Sequence, residues 1–110
     1  MDKFKKIPFD QNTLTELTPE QIEAAKREYK GVYLITAGDK KIYLHKPDRQ
    51  TIDLATISGR QKPSLFEETI LRNCWLAGNK EVFDDVDLFY SVKENIGDIV
   101  EIKSAELTKL

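Results

Sequence analysis

The chain is poor in the residues that most often do chemistry, with one histidine, one cysteine and one tryptophan among 110 residues. A lone cysteine excludes an internal disulfide. One cysteine and one histidine also leave too few ligands for a zinc site of the usual Cys/His kind. The five glycines and four prolines are scattered, which excludes a glycine-rich phosphate loop and a proline-rich linker. Apolar runs are short, and none approaches the ~20 residues needed to cross a bilayer. No N-terminal stretch has the apolar centre of a signal peptide. The expectation is a cytoplasmic, reducing setting with no membrane partner. Charge of one sign is also missing, since the net charge is −2. That balance gives no general attraction to nucleic acid, and any such binding would need a local patch.

What the chain does contain is ordinary for a folded domain: 40% hydrophobic and 33% charged residues. The length suits one core and not two. Residues 1–17 carry Phe4, Ile7, Phe9, Leu14 and Leu17 without a sustained period, and are read as a flexible or peripheral arm. Thr18-Pro19-Glu20-Gln21 has the form of a capping box with proline at the first helical position. It predicts a helix to about Lys30, stopped by Gly31. Val32–Thr36 and Lys41–His45, joined around Gly38-Asp39, predict a β-hairpin. Such a hairpin is marginal alone, so at least one face must be covered.

Beyond Pro47, Asp48 is a cap for a helix over about 49–59, with Ile52, Ala55 and Ile57 as apolar points and Gly59 as its end. A further helix opens at Lys62-Pro63-Ser64. Phe66, Ile70 and Cys74, with Leu71 and Trp75, form one apolar stripe along it until Gly78-Asn79. Asp84-Asp85 begins the next helix, which buries Val86, Phe89, Val92 and Ile96 and stops at Gly97. The segment from Ile99 to Leu107 reads as helix or strand, with helix preferred. The predicted fold class is α+β: an N-terminal helix, one β-hairpin and three to four helices in a single domain over residues 18–110.

Candidate site residues are few. His45 has no evident partner for acid-base or metal chemistry and reads as an exposed or rim histidine. Cys74 reads as a small buried apolar residue, because it lies far from a helix N-terminus and from cationic neighbours. Glu67 and Glu68 diverge on a helix, and Asp84, Asp85 and Asp87 are explained by a helix start. No catalytic residue, metal ligand or cofactor is therefore assigned. Lys40, Lys41, Lys46 and Arg49, with Tyr43 among them, form the best basic patch for nucleic acid. Lysines that guard a hairpin edge explain the same pattern. Tyr43, Trp75 and Phe89 are candidate protein-contact residues, each also readable as core.

The order of motifs adds a resemblance. Tyr43-Leu44-His45-Lys46-Pro47-Asp48-Arg49, then Asn73-Cys74-Trp75-Leu76-Ala77-Gly78-Asn79, Asp84-Asp85 and Ala105-Glu106-Leu107 resemble the small tail assembly chaperones of tailed phages and prophages. The likeness spans roughly residues 30–110. Ala77-Gly78-Asn79-Lys80 departs from the Gly-Gly-Asp-Pro pattern of that family. The resemblance implies a non-enzymatic helper in the bacterial cytoplasm that binds tape measure protein or tail tube subunits during assembly. A small nucleic-acid-binding or regulatory protein of a mobile element is the alternative, and an enzyme with a divergent site is the third.

Overall fold

A computed structural model of the chain describes residues 6–100 and 107–110. The architecture is α+β: four helices and a three-stranded antiparallel sheet. In chain order these are α1 (Pro19–Glu28), β1 (Val32–Ala37), β2 (Lys40–His45), α2 (Arg49–Gln61), α3 (Leu65–Asn73), β3 (Trp75–Gly78) and α4 (Val86–Ile99). Short 3-10 turns occupy Phe9–Gln11 and Lys80–Phe83.

Local chemistry accounts for most element ends. The Thr18 side chain accepts from the Gln21 amide while the Gln21 side chain answers the Thr18 amide, so the predicted capping box is formed. Asp48 caps α2 through the Thr51 amide at 2.8 Å, and Asp85 caps α4 through the Leu88 amide at 3.1 Å. Gly38, at φ 64°, precedes Asp39 in the two-residue hairpin loop. A positive φ at the first central position alone is the sign pattern of a type II′ turn.

The sheet order is β1-β2-β3, so β2 is central. Ile35 pairs with Ile42 and Tyr33 with Leu44 on the face covered by α2, α3 and α4. Leu34 pairs with Tyr43 and Val32 with His45 on the opposite face, where Leu17, Ala25, Ile22 and Tyr29 pack. The sheet is thus the middle layer, with two apolar clusters separated by it.

The segment expected to end the third helix is instead β3. The α3 helix stops at Asn73, and Trp75-Leu76-Ala77-Gly78 runs antiparallel to β2. All four residues are buried, and a fully buried apolar run has no strand period to distinguish it from helix. Without β3, both edges of a two-stranded hairpin would be open. A register shift between Tyr43 and Leu44 leaves Leu76 as the extra residue, with Ala77 opposite Tyr43 and Trp75 opposite Leu44. Trp75 joins one cluster, and the bulge lets the consecutive Leu76 and Ala77 both join the other.

Two helices also outrun their predicted stops. The α2 helix continues through Gly59 to Gln61, and Pro63 follows; α4 continues through Gly97 to Ile99, which is buried. Isolated glycine weakens a helix without ending it when packing holds both sides. Ile57, expected among the apolar points of α2, is 57% exposed, and Val86, expected to be buried on the last helix, is 68% exposed at its first turn. Of the C-terminal segment read as helix or strand, residues 101–106 lie outside the described residues, and 107–110 are exposed without regular structure.

Residues 6–17 cross the outer edge of β3. Phe9 stands edge-on to Trp75 with centroids 5.5 Å apart, on the side of the larger cluster. Leu14 and Leu17 join the other cluster. Between them, buried Asn12 donates to the Leu76 carbonyl at 2.9 Å and accepts from the Leu14 amide at 2.8 Å. The Gly78 amide donates to the Leu14 carbonyl at 2.9 Å. The arm therefore supplies bonds that a fourth strand would otherwise supply.

Candidate functional site

The chemistry-bearing side chains gather where β2 ends. Pro47 cannot continue a ladder, so the chain leaves the sheet there and turns into α2. The C-terminal end of α1 arrives at the same place because Val32 is paired with His45. Between them lies a half-open groove of about 500 Å³, lined by Glu28, Tyr29, Lys30, Lys46, Pro47, Asp48 and Arg49. Lys30, Lys46 and Arg49 outnumber Glu28 and Asp48. Arg49 stands 3.8 Å from Asp53, and the Asp48 carboxylate is occupied in capping α2. Those capping bonds hold the Asp48 carboxyl below its usual value.

Tyr29 forms one wall, lying on the His45 ring with centroids 3.8 Å apart and planes 5° from parallel. His45 is not at the rim as its sequence position implied; it is 6% exposed. Its Nδ1 is 2.8 Å from the Lys46 carbonyl oxygen. A carbonyl only accepts, so Nδ1 carries the proton and Nε2 is left as an acceptor. Lys6 Nζ supplies the donor at 3.0 Å and also bonds the Asn73 carbonyl. Burial, reinforced by the Lys6 charge, pushes the His45 pKa down. Burial also lowers the pKa of Lys6 and raises that of the Tyr29 phenol. The result is a neutral imidazole between an aromatic ring and an ammonium group, with both ring nitrogens in hydrogen bonds.

Cys74 joins this end of the sheet through its backbone, its carbonyl accepting from the His45 amide at 3.0 Å. Its side chain is fully buried, and burial pushes the thiol pKa up to about 12. A thiol so placed is a packing group and not a nucleophile at neutral pH.

The basic patch divides. Lys46 and Arg49 line the groove, whereas Lys40 and Lys41 stand at the other end of β2, about 17 Å away at the usual strand rise. Carboxylates stand beside both: Lys40 is 3.3 Å from Glu81 and 3.8 Å from Asp39, and Lys41 is 3.4 Å from Glu16. The four cations do not form one stripe for a phosphate backbone to follow.

The candidate contact residues are also dispersed. Tyr43 lies in the cluster under α1, 7% exposed, and Trp75 lies fully buried across the sheet. Phe89 is half-buried on α4, and a row of rings runs from it through Phe83 to Trp75, with successive centroids 6.5 and 5.6 Å apart. Arg72 caps this aromatic group, its guanidinium 5.0 Å from the Phe9 centroid and 4.6 Å from that of Phe83. Trp75 Nε1 is buried with no hydrogen-bond partner among the described residues.

Among the described residues, no three His, Cys, Asp or Glu side chains group as metal ligands would, and no helix is long and apolar enough to cross a membrane. The sequence, which put Tyr29 on the apolar face of the first helix and Lys6 in a small basic arm, placed neither beside His45. The placing of Tyr29 was within reach: once the hairpin register is counted out from Gly38-Asp39, the residues just before β1 must lie beside those that end β2. Lys6 had no such signal, since its contact spans 67 positions of the chain.

No family model matches the sequence, and neither curated proteins nor solved structures match it.

Proposed function

We propose that this chain is a non-enzymatic protein-binding module, a tail assembly chaperone of a tailed phage or prophage. In the host cytoplasm it would hold tape measure or tail tube protein until the tail polymerises. The observation that carries the reading is the adjacency of the two stretches on which the resemblance rests. Residues 43–49 and 73–79 are far apart in sequence yet are hydrogen-bonded neighbours, with Tyr43 opposite Ala77 and His45 bonded to Cys74. Both are braced by Lys6. Such a shared unit gives the two stretches a common structural reason to occur together.

The groove beside this unit is where we place the client. Its Tyr29 wall, Pro47 and the aliphatic stems of its lysines offer apolar contact, and its cationic excess favours a client segment bearing carboxylates. Binding here uses no turnover and no cofactor.

The test is affinity capture with the full chain as bait in host lysate, the captured proteins being identified by mass spectrometry. Recovery of a tape measure or tail tube protein, reduced by the double substitution Lys46→Glu and Arg49→Glu, is the expected result. Capture of nucleic acid, released by raising the salt, would instead favour a nucleic-acid-binding protein. Capture of neither would overturn the chaperone reading.

A further inference from the structure

The outer edge of β1 lacks the devices that keep sheet edges apart. Among the described strands β1 pairs with β2 alone, and its six residues, Val-Tyr-Leu-Ile-Thr-Ala, include no charge, proline or glycine. Its ladder to β2 runs through all six pairs without a register shift. Edge strands of stable monomers are ordinarily blunted by lysine, proline or a bulge.

The ladder also fixes which backbone groups face outward. The Lys46 amide bonds the Gly31 carbonyl at 2.8 Å, so alternation turns Tyr33, Ile35 and Ala37 toward β2 and Val32, Leu34 and Thr36 away. On the far side of β2, His45 and Lys41 bond to Cys74 and Asn79, as the same alternation requires. No backbone bond among the described residues reaches Val32, Leu34 or Thr36 from outside the β1–β2 ladder. Leu34, at the middle of this outward set, is 51% exposed.

We propose that two copies of this chain pair edge to edge through β1, antiparallel about a two-fold axis at Leu34, making one continuous sheet. The outward set is symmetric about that residue. Val32 of one copy faces Thr36 of the partner subunit, Leu34 faces Leu34 of the partner subunit, and each facing pair exchanges its two backbone bonds. The apposed leucines cover one another, which removes apolar surface from water. Charges flanking the strand agree with this direction of pairing. Lys30 and Asp39 lie outside opposite ends of β1, and the axis sets each Lys30 opposite Gly38 of the partner subunit, one residue from Asp39 of the partner subunit. Asp39 has its side chain 89% exposed, and the one cation near it among the described residues, Lys40 at 3.8 Å, is closer to Glu81. A parallel pairing would set like charges together. The proposal does not rest on the client reading.

The experiment is sedimentation equilibrium of the full chain from micromolar to millimolar concentration, with amide hydrogen exchange at both extremes. The mass is expected to rise from one copy toward two. Exchange at Val32, Leu34 and Thr36 should slow with concentration, while Tyr33, Ile35 and Ala37 are protected throughout. Leu34→Lys sets two ammonium groups face to face and should hold the chain monomeric with an unchanged melt. Thr36→Lys at an exposed position gives the same readout should Leu34→Lys lower the melt. Leu54→Lys, an equally exposed apolar position on α2, should leave the dimer intact. A monomer at every concentration overturns the proposal. So does edge protection independent of concentration, which would mean that the chain covers its own edge, or a dimer broken by Leu54→Lys alone.

Discussion

The ring of Tyr29 lies parallel to that of His45 at 3.8 Å, and this stack joins the end of α1 to the end of the central strand. It also keeps the imidazole from water, and the neutral form is the one its surroundings favour. Among the described residues Lys6 and Asp48 are the charges that act on it, Lys46 meets it through its backbone carbonyl, and Tyr29 is its neutral stacking neighbour.

Acid should therefore loosen the fold through His45. Its folded pKa lies below the ordinary 6.5, so the unfolded chain binds the extra proton first as pH falls. The stabilisation is complete above pH 6.5 and is lost as pH drops through and below that value. His45→Phe keeps a ring against Tyr29 and removes the titration. Thermal melts between pH 5 and 8 should show a falling acid limb in the parent and a flatter one in the variant.

Alkali should act through Cys74. The thiol, raised from 9.0 to about 12, stays protonated in the fold after it has ionised in the unfolded chain. Stability is lost as pH rises above 9, and Cys74→Ala should lack that component. At pH 8 a thiol reagent should react with the native chain only as fast as the chain opens. Rapid stoichiometric labelling of folded protein would contradict the burial of this group.

Two glycines should respond oppositely to alanine. A Cβ on Gly78, at φ 151°, would stand 2.7 Å from the Lys41 carbonyl oxygen and 2.9 Å from the Ile42 Cα. Both are backbone atoms of the central strand, so a loss of about 1–3 kcal/mol is expected from the strained position alone. A Cβ on Gly97, inside α4, meets nothing within 4 Å, and Gly97→Ala should gain about 0.5–1 kcal/mol. Urea titrations of the two variants measure both signs.

Asn12→Ala should cost about 1–3 kcal/mol, because it leaves the buried Leu76 carbonyl without its donor. Proteolysis within residues 6–17 should quicken more than cleavage elsewhere. Equal acceleration along the whole chain would show that Asn12 supports the fold globally and not the arm alone.

Trp75→Ala should cost about 3–5 kcal/mol, the ordinary loss for a large aromatic truncated in a core. A variant that melts like the parent yet loses its protein partner would make Trp75 a contact residue instead.

How much of this was legible in the sequence depends on the range of the interaction. The capping box at Thr18, the hairpin around Gly38-Asp39, the cap at Asp48 and the helix start at Asp84-Asp85 act over two or three residues, and each was read correctly. Trp75–Gly78 was misassigned because its identity as a strand comes from β2, some thirty positions earlier. Gly59 and Gly97 were read as stops from local propensity, which tertiary packing overrode. His45 was placed at the rim because nothing near it in sequence announces Tyr29 or Lys6. The groove was half visible, in Lys46 and Arg49, while its other wall is the end of α1, which was read as a helix end and not as facing them.

The arm across β3 has a bearing on the order in which the molecule is made. Asn12 meets Leu76, Leu14 meets Gly78 and Lys6 meets Asn73, so residues 6–17 have no seat until Gly78 has been joined to the chain. During synthesis these early residues wait for a strand that follows α1, the hairpin, α2 and α3. The two-stranded hairpin, complete at His45, likewise keeps β2 open on one side through the addition of α2 and α3. A partner that bound the growing chain in this interval would meet an unfinished sheet, and it would have to leave before Asn12 could reach Leu76.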